Sequence, residues 1–326
     1  MRKDDAMNVN CYYYAPHNHT ILREYLAKDL KRMKSLGTDI VSFCLIEWQM
    51  TNWHMPRIKR FIGMAHDAGL AVHVVPNRWA GLVAGWFDAF GEFTLKNMDT
   101  IIRREDGTPR IEGEMASCTQ HPKVRDHMMR SIESMMKTFD IDGIIWDEPH
   151  SKACFCEHCR KAAPEGIPTD TWQHAMTASF LDDMTVHFKS FNSKTAASCF
   201  VMPESEGLLR AMTATTNIDY IGSDGHVRSP DHQMHRMKRT IFEAYEEFQP
   251  IIDRAEKKSF YLLEAQRHRD EDLENYLANV DRAFALPMDH LMYYYCAHEM
   301  LEKNNEERFN HATWNAVKRL QKARNV

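Results

Sequence analysis

The chain contains 326 residues, of which 44% are hydrophobic, and its formal net charge at pH 7 is −5. Acidic and basic side chains are interspersed along it, which argues against nucleic acid as a partner. No apolar run approaches the roughly 18 residues that a membrane-spanning helix needs, and the first residues lack an apolar signal segment. We therefore expect no membrane partner and a cytoplasmic location, whereas a homo-oligomer stays open.

Short strand-like runs alternate with longer segments of helical periodicity, and we count eight such units. The predicted strands are Asn8–Tyr14, Asp39–Glu47, Ala71–Pro76, Gly143–Asp147, Ala196–Met202, Ile218–Ser223, Phe260–Glu264 and His290–Cys296. The predicted helices include Ile21–Leu36, Arg57–Ala68, Lys123–Thr138, Thr171–Phe191, Met237–Lys257, Glu274–Ala285 and Glu306–Lys322. This alternation predicts an α/β fold, the (β/α)8 TIM barrel, as one catalytic domain over residues 1–326. A doubly wound open sheet is the weaker alternative, and no Gly-x-Gly-x-x-Gly follows the first strand to support its dinucleotide-binding form.

Four cysteines form the most distinctive motif of the chain: three lie at C-x-C-x2-C spacing behind the fourth predicted strand and one precedes it, namely Cys118, Cys154, Cys156 and Cys159. Thiolates at this spacing reach a single tetrahedral Zn²⁺ through a tight turn. Four thiolates leave no position for water, so the zinc would be structural and would hold the loop after strand four. Two alternatives stay open: unrelated buried thiols, or a catalytic metal in which His150 or His158 replaces one thiolate.

Carboxylates stand at the ends of two predicted strands on opposite sides of such a barrel. Strand four ends in Asp147-Glu148 and strand seven ends in Glu264. In a TIM barrel the chemistry belongs at the carboxyl ends of the strands. Two acids facing each other there can attack a sugar carbon from one side and protonate its leaving oxygen on the other. The pattern therefore indicates glycosidic bonds in a small carbohydrate as the substrate, with ion-paired or helix-capping acids as the alternative.

Other polar and aromatic residues at or near the predicted strand ends are candidate substrate contacts: Trp48, Arg78, Trp79, Asp224, His226 and Tyr294. Trp48, Trp79 and Trp86 could stack an indole face on a pyranose, although tryptophans that cap the barrel core are equally expected. Asp224 and His226 follow strand six and suit sugar hydroxyl groups. One strand-eight tyrosine is expected to hydrogen-bond the strand-seven acid, and the sequence does not indicate which one.

These residues resemble the catalytic barrel of clan A glycoside hydrolases, especially the family 42 β-galactosidases. The four cysteines match that family's zinc site in order and spacing, with Cys118 after the third strand and the others past the fourth. The charged segment Arg104-Glu105-Asp106-Gly107 and the run from Cys118 through Pro122 to Arg125 match the approach to the third barrel helix. Phe260-Tyr-Leu-Leu-Glu264 resembles the nucleophile strand. The resemblance implies a retaining mechanism, with Glu148 as general acid/base and Glu264 as nucleophile.

One position departs from the clan pattern, because Asp147 stands where those enzymes usually carry an asparagine that hydrogen-bonds the sugar 2-hydroxyl. A carboxylate only accepts hydrogen bonds, so it prefers a hydroxyl, amine or amide N–H there. We expect the family's accessory domains to be missing after the eighth helix, so β-galactosidase activity does not follow from the resemblance.

Two further functions stay open at this stage. The adjacent Asp147-Glu148 pair also resembles family 20 β-N-acetylhexosaminidases, in which the Asp steadies a 2-acetamido nucleophile and the Glu is the acid. In that case Glu264 would matter little to the chemical step. A barrel that binds carbohydrate without turnover is the alternative from another class of protein.

Overall fold

The computed structural model describes residues 7–14, 23–50, 54–84, 91–111, 115–228, 239–264, 270–296 and 306–324. Eight parallel strands form a closed barrel in chain order, in which β8 pairs with β1. The strands are β1 Asn8–Tyr14, β2 Ile40–Ile46, β3 Ala71–Asn77, β4 Gly143–Asp147, β5 Ala196–Val201, β6 Tyr220–His226, β7 Lys258–Glu264 and β8 His290–Cys296. The predicted TIM barrel is therefore confirmed.

Helices follow the strands and cover the outside of the barrel. Their bounds are α1 Arg23–Leu36, α2 Met55–Asp67, α3 Glu92–Lys96, α4 Pro122–Thr138, α5 Glu157–Ala162, α6 Thr169–Phe191, α7 Glu206–Thr213, α8 Ile241–Arg254, α9 Leu273–Phe284 and α10 Glu306–Arg324. A capping box starts α8: the Glu243 backbone N–H donates to the Thr240 hydroxyl, and the Thr240 N–H donates to the Glu243 carboxylate. In α4 the buried positions recur every three or four residues, which gives the helix one apolar face: Val124, Met128, Ile132 and Met135.

The predicted boundaries need correction mainly at β6 and in the crossover before it. β6 runs to His226, three residues beyond the predicted end at Ser223. The prediction ended too early because the second half of the strand has no apolar alternation. Gly222 suits this strand, since a Cβ there would lie 1.7 Å from the Phe260 carbonyl oxygen of β7. The short helix α7 was not predicted. Asp224 and His226 therefore belong to the strand and do not follow it.

Alternate strand residues point into the barrel, and the two ends of its interior differ in character. At the amino-terminal end, the His290 ring packs against Phe260 at 4.5 Å, Tyr220 at 5.1 Å and His73 at 6.1 Å between ring centroids. Because β3 and β8 are not neighbours, the contact between His73 and His290 shows that their side chains point inward. The same parity places Asn77 of β3 and Tyr294 of β8 inside the carboxyl-terminal end, which we call the mouth.

Candidate active site

The acids predicted from the sequence come together at the mouth of the barrel. Asp147 is the last residue of β4, Glu148 follows it, and Glu264 is the last residue of β7. Asp147 and Glu264 are buried, and Glu148 is half-buried. The Glu148 backbone is left-handed, with φ at +38°, and its N–H donates to the Phe200 carbonyl of β5 at 3.0 Å. Such a conformation is uncommon for a residue with a side chain, and it turns the chain sharply as it leaves the strand.

Asp147 is held by a tyrosine from the first strand. The Tyr12 hydroxyl donates to Asp147 Oδ2 at 2.9 Å and lies 3.0 Å from Cys44 Sγ. Burial raises the pKa of Asp147 well above its usual value, and the neighbouring charge of Glu148 raises it further. The Tyr12 hydrogen bond and the charge of Arg78 oppose this rise. Tyr12 was not among the predicted site residues, and its inward parity on β1 was the only sequence signal.

Glu264 has a tyrosine partner from β8, as expected, and the structure identifies which of the strand-eight tyrosines it is. The Tyr294 hydroxyl donates to Glu264 Oε1 at 3.3 Å. The rings of Tyr294 and Tyr12 stack with their centroids 5.2 Å apart and their planes 15° apart. One pair of stacked tyrosines therefore contacts acids from both β4 and β7, which fixes the two carboxyl groups relative to one another.

Asp224 adds a fourth carboxyl group to the mouth. It points inward from β6, is 1% exposed, and hydrogen-bonds through its side chain with Glu148. Burial raises the pKa of Asp224 well above its usual value, and the charges of Glu148 and Glu264 act in the same direction. His226, two residues on, shares this inward parity and pairs in register with Glu264. Both residues predicted near strand six thus lie at the mouth.

Arg78 and Asn77, at the end of β3, lie beside the end of β4. Arg78 is buried, adopts a left-handed backbone with φ at +57°, and its charge lowers the pKa of Asp147. The β3–β4 register pairs His73 with Gly143 and Val74 with Ile144, and its continuation sets Asn77 beside Asp147. Asn77 was not predicted as a site residue, although its place at the end of a barrel strand is typical of one.

The three tryptophans considered as stacking partners for a sugar have different surroundings. Trp79 is 0% exposed and its indole N–H donates to the Leu45 carbonyl at 2.8 Å, so it caps the core and offers no face to a ligand. Trp48 is 39% exposed, and its ring meets His54 edge-on at 4.7 Å. Trp86 lies outside the described residues.

The four cysteines converge as predicted. Their sulfur atoms all lie within 4.8 Å of one another, with Cys118 Sγ 3.3 Å from Cys159 Sγ and 3.5 Å from Cys156 Sγ. Tetrahedral Zn–S bonds of about 2.3 Å imply sulfur atoms about 3.8 Å apart, so the set has the dimensions of such a site. Neither His150 nor His158 belongs to the group that the described residues form. The cluster could therefore bind a metal ion through four thiolates.

Backbone hydrogen bonds connect the cysteine cluster to the mouth. The Ser117 N–H, next to Cys118, donates to the Ala80 carbonyl at 3.0 Å. Further along the same loop, the Ala84 N–H donates to the Asp147 carbonyl at 2.7 Å. The His150 N–H closes the connection by donating to the Leu82 carbonyl at 2.8 Å. The loop after β3 is thus clamped between the segment that carries Cys118 and the end of β4.

Comparisons with known proteins place this chain by its fold. No protein-family model and no curated protein matches it. The β-galactosidase of Rahnella sp. R3 is similar with a TM-score of 0.68 and 11% identity, over 98% of this chain and 57% of that chain. The β-galactosidase of Bacillus circulans sp. alkalophilus has a TM-score of 0.67 and 11% identity, over 98% of this chain and 56% of that chain. An endo-1,4-β-mannanase of Rhizomucor miehei has a TM-score of 0.56 and 14% identity, over 98% of this chain and 95% of that chain.

These similar structures are thus two β-galactosidases and a mannanase. At identities of 10–14% the likeness shows the barrel fold alone. The chain spans 57% and 56% of the two β-galactosidases. Of the helices in the described part of the chain, none combines the length and hydropathy that crossing a bilayer requires.

Proposed function

We propose that this protein is a glycoside hydrolase that cleaves a small glycoside or oligosaccharide by a retaining mechanism with two carboxylates. The observation that carries the proposal is the meeting of Glu148 and Glu264 at the mouth of a closed barrel, next to one buried Asp224 on which the charges of both act. The fold shared with β-galactosidases and mannanases supports this reading. The whole chain, in this proposal, acts as a single catalytic domain.

Each acid has one role in the proposed reaction. The Glu264 carboxylate attacks the anomeric carbon, while the Glu148 carboxyl group gives its proton to the leaving oxygen. In the second step Glu148 takes a proton from water, whose oxygen attacks the anomeric carbon and breaks the bond from that carbon to Glu264, which is released as a carboxylate. The hydrogen bond from Tyr294 would orient the Glu264 carboxylate for the first step. Retention requires the carboxyl groups to be about 5–5.5 Å apart in the working enzyme.

We assign a structural Zn²⁺ to the four cysteines. Four thiolates would satisfy the ion completely, so it would supply rigidity to the loop after β4 and no Lewis acid to the reaction. The loop carries Cys154 and begins directly behind Glu148. Because that residue has a left-handed backbone, a rigid segment on its far side would help to hold its carboxyl group in one position.

The proposal is tested by replacing the nucleophile without changing its shape. We expect Glu264→Gln to lower kcat about 10³-fold or more on an activated aryl glycoside, since an amide cannot form the glycosyl–enzyme bond. Glu133→Gln, on the exposed face of α4, is the matched control and keeps wild-type turnover. A panel of aryl β-galactoside, β-glucoside, β-N-acetylglucosaminide and β-glucuronide identifies the sugar. NMR of the first anomer released reports retention or inversion.

Three outcomes separate the candidate functions. Loss of turnover in Glu264→Gln supports the two-carboxylate mechanism. Turnover that survives the change on the acetamido substrate alone would instead favour assistance by Asp147, the hexosaminidase-like alternative. A protein that binds sugars, keeps its affinity when Glu148 and Glu264 both become Gln, and releases no sugar in either form would be a binding barrel.

A further inference from the structure

The mouth contains more carboxyl groups than glycoside hydrolysis requires. Hydrolysis of a neutral glycoside uses two, whereas four from three strands meet here: Asp147, Glu148, Asp224 and Glu264. Among the described residues, the cation whose charge acts on Asp147 is Arg78. Asp147 and Asp224 are therefore surplus to the reaction and costly to bury unless something else at the site needs them.

Two buried side chains at the mouth have polar atoms without partners in the described part of the chain. Asn77 is 0% exposed, and neither its Oδ1 nor its Nδ2 makes a hydrogen bond there. Asp224 Oδ1 is likewise without a hydrogen bond from any described residue, although the Asp224 side chain bonds with Glu148. Buried polar atoms in this condition cost stability, so each needs an explanation, and a group that binds a ligand or takes part in the reaction is one. Both side chains point into the barrel, by strand parity.

The acids of the mouth do not form a metal site of the kind that the four cysteines form. Among the described residues, the four cysteines form the group of three or more ligands whose donor atoms approach within 4.8 Å of one another. The carboxyl groups of the mouth form no such group of three, so a metal ion there would not be enclosed by carboxylates alone. A primary ammonium group would also compensate the negative charge of the buried carboxylates, because it brings one positive charge and three hydrogen-bond donors on a carbon skeleton.

We propose that the site selects a 2-amino sugar, a glycoside with a primary ammonium group beside the reacting carbon, and that Asp147, Asp224 and Asn77 accept its three N–H bonds. The proposal rests on the proposed hydrolase function, and it names the substrate class of the same site. The charges of both Glu148 and Glu264 act on Asp147, which therefore lies beside the two acids that meet the reacting carbon. The ring carbon bonded to the reacting carbon is C2, so the ammonium group is assigned to that position. Charge-assisted hydrogen bonds to two carboxylates would make this contact the main determinant of specificity.

The electrostatics of the mouth agree with this assignment. Burial first, and neighbouring negative charges second, raise the pKa values of Asp147 and Asp224. Without a ligand, ionising both groups is therefore unfavourable. An ammonium group between them would compensate their charges, whereas a neutral hydroxyl group would not. A 2-acetamido group keeps one N–H but carries no charge, so it would be a poorer ligand than the amine.

The test uses aryl β-glycosides that differ only at C2, with amino, hydroxyl or acetamido groups, in the gluco and galacto series at pH 6.5. We expect kcat/KM for the amine to exceed that for the hydroxyl compound about tenfold or more in one series. Asp147→Asn and Asp224→Asn should each reduce this ratio by about the same factor. Asp183→Asn, the same change at a half-exposed residue that pairs with Arg125 on the outside of the barrel, should leave the ratio unchanged.

Binding of the corresponding aryl 1-thio-β-glycosides, measured by calorimetry, separates this inference from the proposed function. Tighter binding of the 2-amino compound without hydrolysis of any O-glycoside would support the inference and refute the hydrolase. Hydrolysis that needs Glu264 but shows equal kcat/KM for amine and hydroxyl substrates would overturn the inference and leave the hydrolase standing. Preference for the acetamido compound, or no binding of the amine, would also overturn the inference.

Discussion

A buried histidine in the barrel should make the stability of this protein depend on pH. His73 lies in the amino-terminal end of the interior, and burial lowers its pKa from about 6.5 to about 4, with the charge of Asp142 in opposition. Below pH 6.5 the unfolded chain takes up a proton at this residue, whereas the folded chain does so only near pH 4. The folded chain therefore keeps the full stability associated with neutral His73 above pH 6.5, and this stability is lost as the pH falls towards 4. The difference between the pKa values of His73 in the unfolded and folded chain corresponds to about 3 kcal/mol of unfolding free energy, of which about 2 kcal/mol is lost between pH 7.5 and pH 5.

Urea unfolding at pH 7.5 and pH 5 of the wild type and of His73→Gln measures this contribution. Glutamine is of similar size and does not titrate, so the loss of unfolding free energy at pH 5 should be about 2 kcal/mol smaller in the variant. His311→Gln, at an exposed position of α10, should lose as much as the wild type. Asp147 and Asp224, whose pKa values are raised, act in the opposite direction but equally in all three proteins. The same pH-dependent loss in all three would refute the argument from burial.

Two further predictions concern the loop after β3 and the cysteine cluster. Gly81→Ala should lower the free energy of unfolding by about 2 kcal/mol or more, because φ is +66° and the new Cβ would lie 2.1 Å from the Met115 carbonyl oxygen. Gly63→Ala, in open space on α2, should raise it by about 0.5–1 kcal/mol, and equal effects in thermal unfolding would contradict the conformational reasoning. Cys159→Ser should lose the one Zn²⁺ per chain that mass spectrometry is expected to detect, while Cys199→Ser, at a buried thiol outside the cluster, keeps it. A wild type without zinc would refute the metal assignment.

The barrel could be predicted because its strands are buried and bounded by helical segments. β1, β4 and β8 have the predicted limits: β1 and β8 each contain a run of three tyrosines near their ends, and β4 ends at the charged Asp147. β6 was shortened because its final residues are Ser223-Asp224-Gly225-His226, which are polar or small and have no apolar alternation. Strand character there comes from pairing with β7, which is a tertiary effect that the local sequence does not contain.

The site was predictable where a motif fixes geometry, and less so where side chains meet across strands. The C-x-C-x2-C spacing was sufficient to predict the convergence of the cysteines. The contact of Tyr12 with Asp147 joins residues 135 positions apart, and the place of Asn77 follows only from the β3–β4 register. Trp79 could equally have faced a ligand or the core, and its hydrogen bond to Leu45 decides for the core. Whether a side chain faces a ligand or the core depends on the direction in which it points, and the residue type alone does not determine that direction.

The acids at two strand ends look equivalent in the sequence, yet the structure gives them opposite surroundings. Glu47, behind β2, accepts hydrogen bonds from the backbone N–H groups of Ala80 at 2.8 Å and Phe93 at 2.9 Å and contacts His127 at 2.8 Å. Its carboxylate is satisfied by the protein, so it needs no ligand and holds the loops together. Asp224 is more deeply buried than most carboxylates, stands among three other acids, and has an oxygen that no described residue reaches. A fold gains nothing from that arrangement by itself, so the cost is best explained by a ligand that brings donors and positive charge to the mouth.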